Sequence, residues 1–104
     1  MSDESTYLWT KVMAGKTRLG LTKAGQDELG TIKFAHLPSV GDQVTAGKTL
    51  ISVEAEKAVS DIDSPVSGEV VAVNPQLNND FDSLNSEEEA DAWLVDIKKS
   101  LVAV

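Results

Sequence analysis

A chain of 104 residues, 41% hydrophobic and 25% charged, has the composition of one soluble globular domain, residues 1–104, and is too short to build two cores. Nine basic against 17 acidic side chains leave a formal charge of −8, which repels phosphate and argues against nucleic acid and anionic membrane as partners. There is no cysteine for a disulfide or a thiolate metal site, no apolar run near the ~20 residues of a membrane helix, and an acidic start unlike a secretory leader, so the expected location is cytoplasmic.

In chain order the pattern predicts short strands and one helix. Residues 7–12 form a first strand, Ala14-Gly15-Lys16 a turn, and residues 17–21 a second strand. Thr22 is placed to cap a helix over Lys23–Leu29, which Gly30 ends in a position that favours a left-handed residue. Residues 31–37 alternate apolar and polar side chains up to Pro38, and residues 40–48 are rich in turn formers. Residues 50–56 and 59–64 alternate again on either side of Lys57-Ala58; residues 64–68 bend, and residues 69–74 form a strand. Residues 75–91 are acidic with few apolar positions, enough for partial helix, and residues 93–97 form the closing strand. Many short strands with one short helix predict an all-β sandwich or flattened barrel.

Lys57 is the residue around which the pattern is symmetric. With Glu56 paired to Val59 across a two-residue turn, Val53 faces Ile62 in the core and Glu54 faces Asp61. Gly47 and Gly68 stand ten residues outside Lys57 and Ala58 and close both strands. A lysine on such a tip is a reachable amine. Glu54, Glu56, Asp61 and Asp63 surround it with negative charge, as a recognition surface or as a solvated face.

Other residues with chemical potential read as structural. Gly15-Lys16-Thr17 and Gly47-Lys48-Thr49 mimic the end of a phosphate loop, but the glycine required five residues earlier is Thr10 in one and Asp42 in the other. His36, the sole histidine, lacks companion metal ligands and is expected on a strand surface. Glu87-Glu88-Glu89 reads as a solvated helix start, Trp9 and Trp93 as a packed core pair, and Asp27 and Glu28 as acidic residues opening the helix. With no nucleophile–base pair, metal cluster or phosphate cradle, no enzyme activity is expected.

The segment Glu54-Ala55-Glu56-Lys57-Ala58-Val59-Ser60-Asp61-Ile62, followed by Ser64-Pro65-Val66-Ser67-Gly68-Glu69-Val70, resembles the lipoylation region of the glycine cleavage system H protein family, with Lys57 at the lipoyl-lysine position. Residues 37–44, Leu21-Thr22 through Gln26 to Leu29-Gly30, and Trp93-Leu94-Val95 follow in the family's order, so the resemblance runs from Tyr7 to Ile97. It implies a lipoyl/biotinyl-type flattened barrel-sandwich of two sheets and lipoic acid in amide linkage to Lys57. It also implies a carrier that is loaded by a lipoate ligase or lipoyltransferase and is itself no catalyst. Such a carrier shuttles an aminomethyl group or reducing equivalents among glycine decarboxylase, aminomethyltransferase and dihydrolipoyl dehydrogenase. The dithiolane supplies that chemistry, and the protein supplies position and recognition.

Two departures from the family keep other readings open. Glu56 stands where H proteins usually have a neutral residue, and Ser86-Glu87-Glu88-Glu89-Ala90-Asp91-Ala92 replaces a Pro-Tyr-Gly-type segment. The second reading is an H-like lipoyl relay or redox-response protein linked to a lipoate ligase and an ADP-ribosylating enzyme. A third is an unmodified acidic module that binds a basic partner. Biotinylation is disfavoured, because biotin domains have Met on both sides of the lysine where this chain has Glu56 and Ala58.

Overall fold

The computed structural model describes residues 7–78, 81–86, 88 and 91–99. Strands β1 (Leu8–Met13), β2 (Lys16–Leu21), β8 (Trp93–Lys99), β7 (Gly68–Val73) and β4 (Gln43–Val44) form one sheet in that order. Strands β3 (Ile32–His36), β5 (Thr49–Ala55) and β6 (Val59–Asp63) form the second, and every pairing is antiparallel. One helix, α1 (Lys23–Leu29), leads from β2 to β3. Among the described residues no helix is long and apolar enough to cross a membrane.

The local chemistry explains the joints. Ala14 and Gly15 have φ of 47° and 81°, the two left-handed residues of a turn whose twist matches that of a β1–β2 hairpin. Leu19, Leu21, Val70 and Ile97 from the larger sheet and Ala35, Ile51, Val53 and Ile62 from the smaller one are buried in a single cluster. The register of β2 against β8 slips at Gly20, where the Trp9 ring lies so close that a Cβ has no room. Trp9 and Trp93 are therefore not a core pair. Both are half-buried, one over Gly20 and the other 3.9 Å beneath the Arg18 guanidinium.

Among its described residues, the acidic segment expected to be partly helical forms two 3-10 turns, Pro75–Asn78 and Asp82–Asn85. Few apolar residues are needed to hold it: Leu77 and Leu84 enter the core, and the buried Asn74 side chain donates to the carbonyls of Asp91 and Trp93. Of the expected Glu87-Glu88-Glu89 helix start, Glu88 is exposed and the other two lie outside the described residues. The strand β4 was not expected, since two residues among turn formers carry no alternation to detect.

A buried carboxylate stands in the larger sheet. Asp96 is 1% exposed on β8, opposite Arg18 on β2, which donates from Nε at 2.8 Å and from its terminal nitrogen at 3.1 Å; Lys16 Nζ lies 3.3 Å away. Burial disfavours the charged carboxylate, but the hydrogen bonds from Arg18 and Lys16, with their charges, outweigh it and hold Asp96 below the usual carboxylate range. Its stabilisation is thus present in full above the unfolded carboxyl value of ~3.9 and is lost as pH falls through the lower folded value. Asp96→Asn is expected to cost about 1.5–3 kcal/mol at neutral pH. Denaturant melts should show the gap to wild type narrowing in acid, as the wild-type carboxylate is protonated. Val53→Ala and Ile62→Ala, which empty the core from the other sheet, are each expected to cost about 1–4 kcal/mol in the same melts.

Candidate functional site

Strands β5 and β6 pair Ile51 with Ile62, Ser52 with Asp61, Val53 with Ser60 and Glu54 with Val59. The hairpin closes where Ala55 N–H donates to Ala58 O at 2.9 Å, which makes Glu56 and Lys57 the two tip residues. The turn therefore sits one residue earlier than the expected Lys57-Ala58. Val53 does not face Ile62, and Glu54 does not face Asp61. From Ile51 to Glu54 each residue's partner changes by two positions, so those side chains keep their faces, and Val53 and Ile62 are still 0% and 1% exposed; the register slips once more between Thr49 and Ile51. The like charges are separated as well: Asp61 lies opposite Ser52, whose hydroxyl donates to its carboxylate at 2.6 Å, while Glu54 lies opposite Val59.

The cause lies outside the hairpin, in the turn between α1 and β3. Thr22 caps α1 by accepting from Gly25 N–H at 3.0 Å, and Gly30 ends it at φ 78° with its N–H on Gln26 O at 2.8 Å. The chain then offers two carbonyls to the tip. Glu56 N–H donates to Thr31 O and Lys57 N–H to Leu29 O, both at 2.9 Å. Gly30 lies between those acceptors, where a Cβ would stand 3.1 Å from Lys57 Cγ and 3.2 Å from Glu56 Cβ. The turn is held in its place by the acidic segment: Gln26 Nε2 donates to the carbonyls of Leu84 and Ser86 at 2.6 and 2.7 Å, and Asn85 Oδ1 accepts from Ile32 N–H at 2.7 Å. Sequence reasoning missed Gln26 and Asn85. Their bonds span 53 to 60 residues, a distance at which a polar side chain leaves no local signal.

Lys57 is exposed, and its Nζ donates to the main-chain carbonyl of Asp27 at 3.1 Å, over the last turn of α1. Around it the outward face of the smaller sheet carries Phe34, Glu54 and Val59 in one cross-strand row and His36, Ser52 and Asp61 in the next. Glu56 shares the tip with Lys57, whereas Asp63 lies opposite Thr49 at the far end of β6, so the four acids line the hairpin rather than ring the amine. His36 is exposed on β3 with its ring against Phe34, and among the described residues no group of His, Cys, Asp and Glu could hold a metal. Asp27 and Glu28 do not open α1. With Thr22 as cap the helix starts at Lys23, so both fall in its second half, and Asp27 pairs with Lys23 at 3.7 Å.

A two-sheet antiparallel sandwich with one short helix, bearing an exposed primary amine on a main-chain-anchored hairpin tip, has the architecture of the lipoyl/biotinyl type of fold. The comparisons agree with that class. Residues 1–103 match the family described as glycine cleavage H-protein. A glycine cleavage system H protein of Coprothermobacter proteolyticus is 43% identical over 97 residues, covering 92% of this chain and 76% of that one. One from Anoxybacillus flavithermus is 42% identical over 88% of this chain and 72% of its own length. The crystal structure of a glycine cleavage system H protein from Mycobacterium marinum superposes with a TM-score of 0.84 at 29% identity, covering 96% of this chain and 84% of that one. The chain belongs to the glycine cleavage H-protein family.

Because Lys57 is exposed and the main chain holds its tip, Lys57→Ala is expected to leave stability within about ±0.5 kcal/mol of wild type in denaturant melts. A lysine that carried the fold would instead unfold it.

Proposed function

We propose that this protein is a lipoyl carrier, with lipoic acid joined through an amide to Lys57 Nζ. The observation that carries the reading is the geometry of that amine, which is exposed at the hairpin tip and anchored on both sides by main-chain hydrogen bonds. The residues present fit the group. The amine is reachable by an enzyme, and after acylation the amide N–H still has one hydrogen to donate to Asp27 O. In the loading step a C–N bond forms between Nζ and the carbonyl carbon of an activated lipoyl group. The activating group leaves with its bonding pair, and the ammonium gives up two of its three protons, one before attack and one after, to a base on the ligase or lipoyltransferase. When bound, the dithiolane supplies redox and group-transfer chemistry. The chain's own residues do the positioning: the hairpin extends the arm, α1 supports it, and Glu54, Glu56 and Val59 present a mixed acidic and apolar surface beside it.

Family membership supports a place in glycine cleavage. The partners would be glycine decarboxylase, aminomethyltransferase and dihydrolipoyl dehydrogenase, between which the arm carries an aminomethyl group or reducing equivalents. The acidic Glu56 at the tip favours keeping a second reading, an H-like relay that serves a lipoate ligase and an ADP-ribosylating enzyme.

Incubation with lipoate ligase, ATP and lipoate, followed by intact mass and peptide mapping, tests the carrier reading. One lipoyl adduct is expected, on the peptide containing Glu56-Lys57-Ala58, and none on Lys57→Ala. Adducts spread over Lys48, Lys98 or Lys99 would overturn it, and an unmodified wild-type chain would favour the acidic interaction module.

A further inference from the structure

We propose that the Leu29-Gly30-Thr31 turn is a positioning device for Lys57, and that Gly30 is the residue at which a side chain would release it; the inference rests on the carrier reading of Lys57. The corner amides of a hairpin turn have no partner within the hairpin's own ladder and must find one elsewhere, in protein or water. Here both are taken. The bonds from Glu56 N–H to Thr31 O and from Lys57 N–H to Leu29 O fix the tip's main chain, and the bond from Nζ to Asp27 O brings the far end of the side chain over the same turn. Three attachments that converge on residues 27–31 set a direction for the amine as well as a place.

Gly30 makes the approach possible. At φ 78° it adopts a conformation that L-residues rarely take, and a Cβ there would lie 3.1, 3.2 and 3.3 Å from Lys57 Cγ, Glu56 Cβ and Glu56 Oε1. Those distances are shorter than ordinary contact, so the Lys57 and Glu56 side chains must give by a few tenths of an ångström, and the strain of a side chain at φ 78° falls on the turn that receives the tip's two 2.9 Å hydrogen bonds. The turn has little freedom to yield instead. Gln26 ties α1 to Leu84 and Ser86, and Asn85 ties Ile32 to the 3-10 turn Asp82–Asn85. An enzyme that acylates Lys57 must bring Nζ into line with an acyl carbon, and misplacements of about 1 Å can cost up to ~100-fold in rate.

The test compares wild type, Gly30→Ala and Gly30→Val, with Gly15→Ala as control, because Gly15 has a similar φ of 81° but nothing within 4 Å of its added Cβ. Stability by denaturant melts, amide exchange at Glu56 and Lys57, and acylation kinetics with purified lipoate ligase are measured on the full chain. In Gly30→Val the two tip amides should lose protection while those of the β5–β6 ladder keep theirs. Its kcat should fall about tenfold or more with KM within about twofold; Gly30→Ala should lie between, and Gly15→Ala should match wild type. A side chain at Gly30 that frees the tip amides without slowing acylation overturns the positioning role and leaves the carrier reading standing, and so do wild-type tip amides that exchange as fast as exposed ones. A wild-type chain that accepts no lipoyl group overturns both. If Gly30→Val does not fold, the single methyl of Gly30→Ala decides by the same readouts.

Discussion

The main-chain hydrogen bonds from the hairpin tip to the carbonyls of Leu29 and Thr31 are the constraint on which the rest of the site depends. A two-stranded hairpin on its own is marginal in water, and its ladder says little about how its corner is oriented. With Glu56 and Lys57 captured at the tip, Ala55 and Ala58 close the hairpin, and the β5–β6 register from Ile51 to Glu54 follows from that. The same contact requires α1 to end where it does. A helix one residue longer would carry the acceptor carbonyls past the tip, and Gly30 both stops the helix and leaves the space that the tip fills.

The two sheets carry different burdens. In the larger one β8 runs between β2 and β7 with four consecutive residues, from Leu94 to Ile97, buried, and the one charge among them is matched by Arg18 and Lys16. Such a matched pair is costly to break and of modest net benefit, but it specifies which strand lies beside which. The smaller sheet holds the exposed lysine and depends on the larger one through the shared core and through α1. The site thus projects from a part of the fold whose shape is set elsewhere.

Much of this was legible in the sequence where the determining physics is local. Thr22, Gly30 and the seven residues between Thr22 and Gly30 define α1 by capping chemistry alone, and the alternation around Lys57 marks a hairpin. The exact partner of each strand residue was not legible, because symmetric alternation is satisfied by several registers of the same parity and the choice is made by carbonyls some 25 residues away. The anchoring of the acidic segment was hidden for a similar reason. Leu77, Leu84 and Asn85 are spaced too sparsely for any periodic signal, yet they decide how that segment lies on the body. Trp9 was misread because an aromatic residue's usual place is the core, whereas a glycine on the neighbouring strand gave its ring a seat near the surface.

Among the described residues the sheet order β3-β5-β6 leaves β6 as an outer strand, with main-chain donors and acceptors facing outward beside the lysine. A strand of that kind is a template for pairing with a second copy of itself. Asp61 and Asp63 stand exposed along it, and the chain as a whole carries a charge of −8, so two copies that approach edge to edge bring like charges together before any ladder forms. The barrier is electrostatic and short in range, about 8 Å at physiological salt. That repulsion opposes edge-to-edge pairing at β6, the strand that carries the chain onward from the Lys57 tip.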